Sequence, residues 1–336
     1  MYERHAFISR GLSHFGSFFA MAQDYLKLQL SADRPGRFRY SSFMFESFPG
    51  EASPSRPRLW RWIVGTIVIV ATWQVGGLGL MIGFASFLGV PIEDLETFPG
   101  VDPWKAGFIT LISFLPLFLI VPPLYRLLLR IPIKRLITER ERISLARIWH
   151  GFLAMSAMVI PLSAIDLLIN QEQYRYTFEW RLFWPYLLVA LTILPIQTTA
   201  EEFLFRGWLL RWNNNGRWPI WAVAILNASL FALPHMANPE IKGEYLIAFI
   251  YFASVGGMLT IATLRDRSLE LAIGAHFANN FFAGVLVSYQ DAALPSAAVF
   301  MTGELNWLSS TVIAVLTVPL FLWLTKPRES QRKGLL

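Results

Sequence analysis

The chain contains no cysteine, which excludes disulfides and thiolate metal sites. Charge is scarce too. Of its 336 residues 15% are charged and 54% hydrophobic, with a mean hydropathy of +0.45. Soluble domains carry about a quarter charged residues, so the composition points to an integral membrane protein. No internal repeat is visible, which argues against transporter folds built from inverted halves. Basic residues are not interleaved with exposed aromatics in any run, so the net charge of +6 is not a nucleic-acid footprint. Residues 1–58 lack the uninterrupted apolar core of a cleavable signal peptide.

What the chain does have is hydrophobic segments long enough to span a bilayer, each needing about 20 residues. They fall near 60–90, 104–129, 147–170, 183–210, 218–238, 245–264, 269–290 and 308–325. Basic connections (Arg126 to Arg147, Arg211 and Arg217, Arg265 and Arg267, Lys326 to Lys333) alternate with acidic or balanced ones (Glu93 to Asp102, Glu172 to Arg181, Glu240 to Glu244, Asp291 to Glu304). Lysine and arginine concentrate in cytoplasmic loops. The expected fold is therefore all-α: a polytopic bundle of about eight transmembrane helices with cytoplasmic N- and C-termini. Residues 1–58 form a cytoplasmic tail, 59–326 the membrane domain and 327–336 a second cytoplasmic tail. Within the first tail Ile8, Leu12, Phe15 and Phe19 recur at helical spacing, as in an amphipathic helix lying on the membrane surface.

One stretch of the fourth segment stands out: Ala200-Glu201-Glu202-Phe203-Leu204-Phe205-Arg206. Ionisable groups at membrane depth are costly and mark function or a buried ion pair. On a helix Glu202 and Arg206 share a face, four residues apart, while Glu201 is rotated by about 100°. One glutamate can pair with the arginine and leave the other free for chemistry. Two of the chain's five histidines also lie inside spans. His235 closes Phe231-Ala232-Leu233-Pro234-His235, and His276 opens His276-Phe277-Ala278-Asn279-Asn280, with Asn280 one turn on. Carboxylate and imidazole suit zinc with a fourth position for water, whose pKa the metal would lower. Without metal, a buried glutamate serves as general base, and His276 with Asn280 would stabilise an oxyanion.

Glu201-Glu202-x-x-x-Arg206, Phe231-x-x-x-His235 and His276-x-x-x-Asn280, in that order, resemble the motif series of the CAAX-protease and bacteriocin-processing family of intramembrane endopeptidases, which includes the type II CAAX prenyl endopeptidases. Leu264-Arg265-Asp266-Arg267-Ser268-Leu269-Glu270 is similar to the family's approach to the third motif. The resemblance covers residues 183–290. It implies that Glu201 activates water, that His235 completes a water or metal site, and that His276 and Asn280 hold the oxyanion. Glu202 and Arg206 take a supporting role. If a metal is used, Glu201, His235 and His276 would bind zinc. The implied substrate is a membrane-associated peptide or protein, met in the bilayer and, in a bacterium, in the plasma (inner) membrane. The alternatives are a non-catalytic scaffold or bacteriocin-immunity-type protein keeping the motifs structurally, and a transporter using them as a proton relay.

Depth arithmetic raises a conflict. At about 1.5 Å per residue, Glu201 lies about 14 Å from the basic end of its span and His276 about 11 Å from its own, but His235 about 26 Å. To share a site, the fifth span must tilt, its first turns around Trp218 and Pro219 must lie flat, or Phe205 to Trp212 must bend away.

Overall fold

Every hydrophobic segment becomes helix. In chain order these are α1 (Leu59–Leu88), α2 (Pro103–Ile112) with α3 (Leu115–Leu129), α4 (Leu145–Ile169), α5 (Trp180–Thr192) with α6 (Leu194–Glu202), α7 (Ile220–His235), α8 (Tyr245–Asp266), α9 (Glu270–Val285) and α10 (Trp307–Leu324). The structure is a computed structural model describing residues 57–213 and 218–326. The proposed surface helix of the first tail and residues 327–336 lie outside the described residues.

Among the described residues six passes are long and apolar enough to cross a membrane. α7 and α9 have 16 residues each, so each rises about 24 Å against a hydrocarbon core of about 30 Å. The wider limits 218–238 and 269–290 are corrected accordingly: Trp218 and Pro219 precede the helix, and the chain after Val285 turns into strand.

Contacts between loops nevertheless show that both short helices join opposite ends of the bundle. At one end the basic loops meet. Arg140 bonds Asp266 Oδ1 at 2.9 Å and Glu270 Oε2 at 3.0 Å. Arg211 reaches Glu139 at 2.9 Å, and Arg265 reaches Thr325 Oγ1 at 2.7 Å. At the other end β1 (Tyr174–Tyr176) pairs antiparallel with β3 (Phe300–Thr302), which pairs in parallel with β2 (Val287–Tyr289). Lys242 bonds Asp291 there at 3.0 Å. The alternation of loop charge along the sequence is thus an alternation in space. The chain is a multi-pass integral membrane protein, and its outer surface fits: Phe87, Leu246 and Val75 stand exposed, apolar side chains that lipid accepts and water does not.

Helix packing depends on small residues, as expected where lipid gives no hydrophobic drive between helices. α4 and α9 make the closest pair. A Cβ on Gly274 would stand 1.9 Å from the carbonyl oxygen of Ile148, and one on Gly151 would stand 2.2 Å from that of Leu271. Backbone cannot yield as a side-chain tip does. Gly274→Ala is therefore expected to lower stability by about 1–3 kcal/mol, read as a fall in the thermal midpoint in detergent. Gly79→Ala, with nothing within 4 Å of the added atom, is the control and should leave the midpoint in place.

The buried ion cluster at the basic end fixes where α9 starts. Asp266 is held by Arg140 and Arg147 and by Ser268 Oγ at 3.0 Å. Glu270 accepts from the Ser144 amide at 2.6 Å. His276 follows less than two turns later.

Candidate active site

The motif helix begins at a break. Pro195 occupies the first turn of α6, where its missing N–H is harmless, whereas inside a continuous helix it would remove a backbone bond. The fourth segment is therefore two helices, and Glu201 and Glu202 form the last turn of the second. Directly after them the chain widens into the π-helix Phe203–Leu209, all seven of whose residues are buried. The Leu210 amide donates to the Phe205 carbonyl, five residues back. That carbonyl accepts a second bond, from Asn227 Nδ2 on α7 at 2.8 Å. Asn227 Oδ1 in turn accepts from Thr260 on α8 at 2.8 Å. This departure from α geometry, of the kind frequent at functional sites, overlaps Phe205 to Trp212, one of the three places where the depth conflict could be relieved. The structure does bring His235 level: its ring lies 4.7 Å from that of Phe231, whose ring lies 5.8 Å from His276.

Glu202 and Arg206 pair as their spacing suggests, at 2.8 Å, with both side chains fully buried. Arg206 also donates to the Gly256 carbonyl at 2.9 Å and stacks over the Phe231 ring at 4.4 Å, a cation–π contact strengthened by desolvation. His276 Nδ1 lies 2.8 Å from the same Glu202 oxygen. A carboxylate can only accept, so Nδ1 carries the proton. The ring's other nitrogen then faces Glu201, with Nε2 3.4 Å from Oε2. One imidazole thus bridges both glutamates, anchored to one and presented to the other.

Glu201, His235, His276 and Asn280 come from three helices and line one cavity of about 270 Å³. Glu202 and Arg206 do not line it; they sit behind its wall. His235 Nδ1 bonds the Phe231 carbonyl at 2.8 Å, and its ring stacks on Phe252 at 4.3 Å. Asn280 Oδ1 accepts from Asn279 at 3.1 Å, which leaves the Asn280 amide's donor side free.

Several cavity residues had no role in the sequence reading. Glu240 had looked like a loop charge. It is buried, accepts from Asn238 at 2.9 Å and from the Ala293 amide at 3.0 Å, and so pins the β2–β3 connection over the cavity. Burial pushes the Tyr289 phenol well above its ordinary pKa, and Glu240 adds to the shift, so Tyr289 stays protonated and donates to Glu240. Gln197 also lines the cavity. Its one available signal was its place one turn before Glu201.

Zinc is a test the site meets in part. Both imidazoles engage Nδ1 on an oxygen and present Nε2, as metal-ligating histidines do. Among the described residues, however, no three His, Asp or Glu side chains are gathered so as to hold a metal ion. The donor types fit zinc, but no three of them converge among the described residues.

Residues 180–282 match the family described as type II CAAX prenyl endopeptidase Rce1-like. The chain is also 30% identical over 292 residues to YyaK, an uncharacterized protein of Bacillus subtilis strain 168, across 82% of this chain and 95% of YyaK. The chain belongs to the Rce1-like family. No solved structure matches it. The Rce1-like family is a family of CAAX-type intramembrane proteases. The matched stretch runs from the first residue of α5 into α9. It therefore contains every side chain of the glutamate–histidine cluster and its arginine. α1 to α4, which pack against α6, the π-helix and α9, lie outside that stretch but within a chain that YyaK parallels over most of its length.

Proposed function

We propose that the protein is an endopeptidase that hydrolyses a peptide bond of a membrane-associated peptide or protein, with water activated by Glu201. The observation that carries this reading is the division of labour between the glutamates. Glu202 is neutralised by Arg206 behind the wall, while Glu201 opens on the cavity with no basic side chain paired to it except the His276 imidazole. A carboxylate so placed can take a proton from water. The donor side of the Asn280 amide, on the same cavity, can hold the developing oxyanion. His276, fixed by Glu202, can receive or return a proton at Nε2. Substrate enters from the bilayer, which in a bacterium is the plasma membrane, with the basic loops cytoplasmic. Nucleic acid has no place in this reading.

The test is cleavage of a quenched peptide library, lipidated and unlipidated, by detergent-purified protein beside His235→Ala and His276→Ala, with metal content measured on the same samples. We expect cleavage by the natural protein and loss in both variants, without a metal that follows activity. About one zinc per chain, lost in step with activity, would instead assign Glu201, His235 and His276 as its ligands, consistent with three protein ligands plus water. Equal cleavage by all three proteins would overturn the assignment. A folded natural protein inactive on every peptide would favour the scaffold reading.

A further inference from the structure

Gln197 lies on α6 four residues before Glu201, on the same helical face. Its side chain is 3% exposed and lines the same cavity as Glu201. Gln197 Oε1 and Glu201 Oε2 are both buried and make no hydrogen bond within the protein; His276 Nε2 stands 3.4 Å from Glu201 Oε2, but with the ring proton on Nδ1 it has no hydrogen to donate. A buried acceptor without a donor costs stability, and native structures satisfy such groups with protein or with ordered water. Two of them one turn apart call for a ligand that brings two donors in a small volume. Arginine and lysine are absent from the cavity lining. A water molecule meets the requirement, since it donates twice and ordered water is what satisfies buried acceptors that lack a protein donor; both residues also line the cavity of about 270 Å³.

We infer that Gln197 is a positioning residue for the attacking water, which donates one O–H to Glu201 Oε2 and the other to Gln197 Oε1. This rests on the reading of Glu201 as the base. A water held by one acceptor can rotate about that bond. A second acceptor fixes it and turns a lone pair away from both, toward the scissile carbonyl, which is the kind of pre-orientation that lowers a barrier entropically.

The step balances. The water oxygen bonds to the carbonyl carbon as its first proton passes to Glu201, and the carbonyl π pair moves to oxygen. Collapse of that intermediate breaks the C–N bond, and Glu201 returns the proton to the departing amine. The second proton stays on the new carboxylic acid, still bonded to Gln197, which neither gains nor loses a proton.

The test uses Gln197→Met, close in volume but without the acceptor, and the fluorogenic peptide that the natural protein cleaves. The expected result is a fall of about 10- to 100-fold in kcat with KM within about twofold, because truncating an orientation effect leaves ground-state binding alone. The thermal midpoint should hold or rise, since an unpaired buried acceptor has been replaced by an apolar group. A rise in KM at unchanged kcat would make Gln197 a substrate contact instead. A fallen midpoint with normal kcat in the folded fraction would make it structural. Either overturns the inference. Glu201→Gln, run in parallel, separates the two failures: full activity there removes the base itself, whatever Gln197→Met does. High-resolution density needs no substrate. It should show a water bridging Gln197 and Glu201 in the natural protein and none between the same positions in Gln197→Met. Natural-protein density with no such water overturns the proposal directly.

Discussion

Glu201→Gln is expected to lower peptide cleavage by about 10²- to 10⁴-fold while leaving the protein folded. The substitution keeps the shape of the side chain and an oxygen on the cavity, and removes only the capacity to accept a proton. Glu201 is 6% exposed and has no ion pair except the 3.4 Å approach of His276. Exchanging a buried carboxylate for a neutral amide therefore relieves a desolvation cost, and the thermal midpoint should stay level or rise. That combination is the signature sought, since a residue kept for structure would lose stability first and activity only with it. Glu202→Gln provides the contrast. It leaves the base untouched but deprives Arg206 and His276 of their shared charge, so it should lower the midpoint as well as the rate. The measurements are initial rates on one cleaved peptide and melting in the same detergent. Retention of more than about a tenth of the natural rate by Glu201→Gln would sink the assignment of Glu201 as base, because general-base catalysis is worth at least about a hundredfold.

The parts of this site that were legible in the sequence are those governed by local geometry. Helical spacing alone put Glu202 against Arg206 and turned Glu201 elsewhere, and the 2.8 Å pair confirms the geometry even though Arg206 stands in a π-helix. The alternation of loop charge likewise foretold which loops meet, because the positive-inside bias acts on each loop independently. What could not be read is what depends on partners distant in sequence. The π-helix is held by Asn227, 22 residues on from Phe205, and no local propensity announces it. The nearness of His235 to His276, through the Phe231 ring, is likewise a matter of how helices distant in sequence pack. Uniform counting at 1.5 Å per residue could only register a conflict. Glu240 reads as a solvated loop charge until the chain folds Ala293 onto it. The suitability of Glu201, His235 and His276 for zinc is a statement about donor types, which a sequence carries; how closely the three converge is a matter of tertiary geometry, which it does not. The strands at the loop end were missed because each has three residues, too few for any periodicity to register.

Arg206→Met is expected to destabilise the fold by about 3–5 kcal/mol, the largest stability loss of any single change considered. Arg206 and Glu202 have no exposed side-chain surface. Removing the guanidinium strands a carboxylate in an apolar interior, with one of its oxygens already lacking any partner. It also withdraws the donor to the Gly256 carbonyl and the cation over Phe231. Replacing both members is different in kind, because apolar pairs can substitute for buried ion pairs at little cost or with a gain. Glu202→Leu combined with Arg206→Met should therefore be more stable than Arg206→Met alone, by denaturant or thermal unfolding in matched micelles. The recovery will be incomplete, since His276 Nδ1 loses its acceptor and a buried N–H without one costs about 1–3 kcal/mol. Cleavage should not return with the fold. The double variant frees the His276 ring, whose orientation depends on the 2.8 Å bond to Glu202, so a folded but inactive protein is the predicted outcome. If the double variant proved no more stable than Arg206→Met, neutralising Glu202 would not be what Arg206 does. If it were folded and fully active, the Glu202–His276 bond would have no part in the chemistry. The pair's function in this reading is therefore orientation: a buried salt bridge is weak evidence for stability on its own, and its value here lies in fixing which nitrogen of His276 faces Glu201.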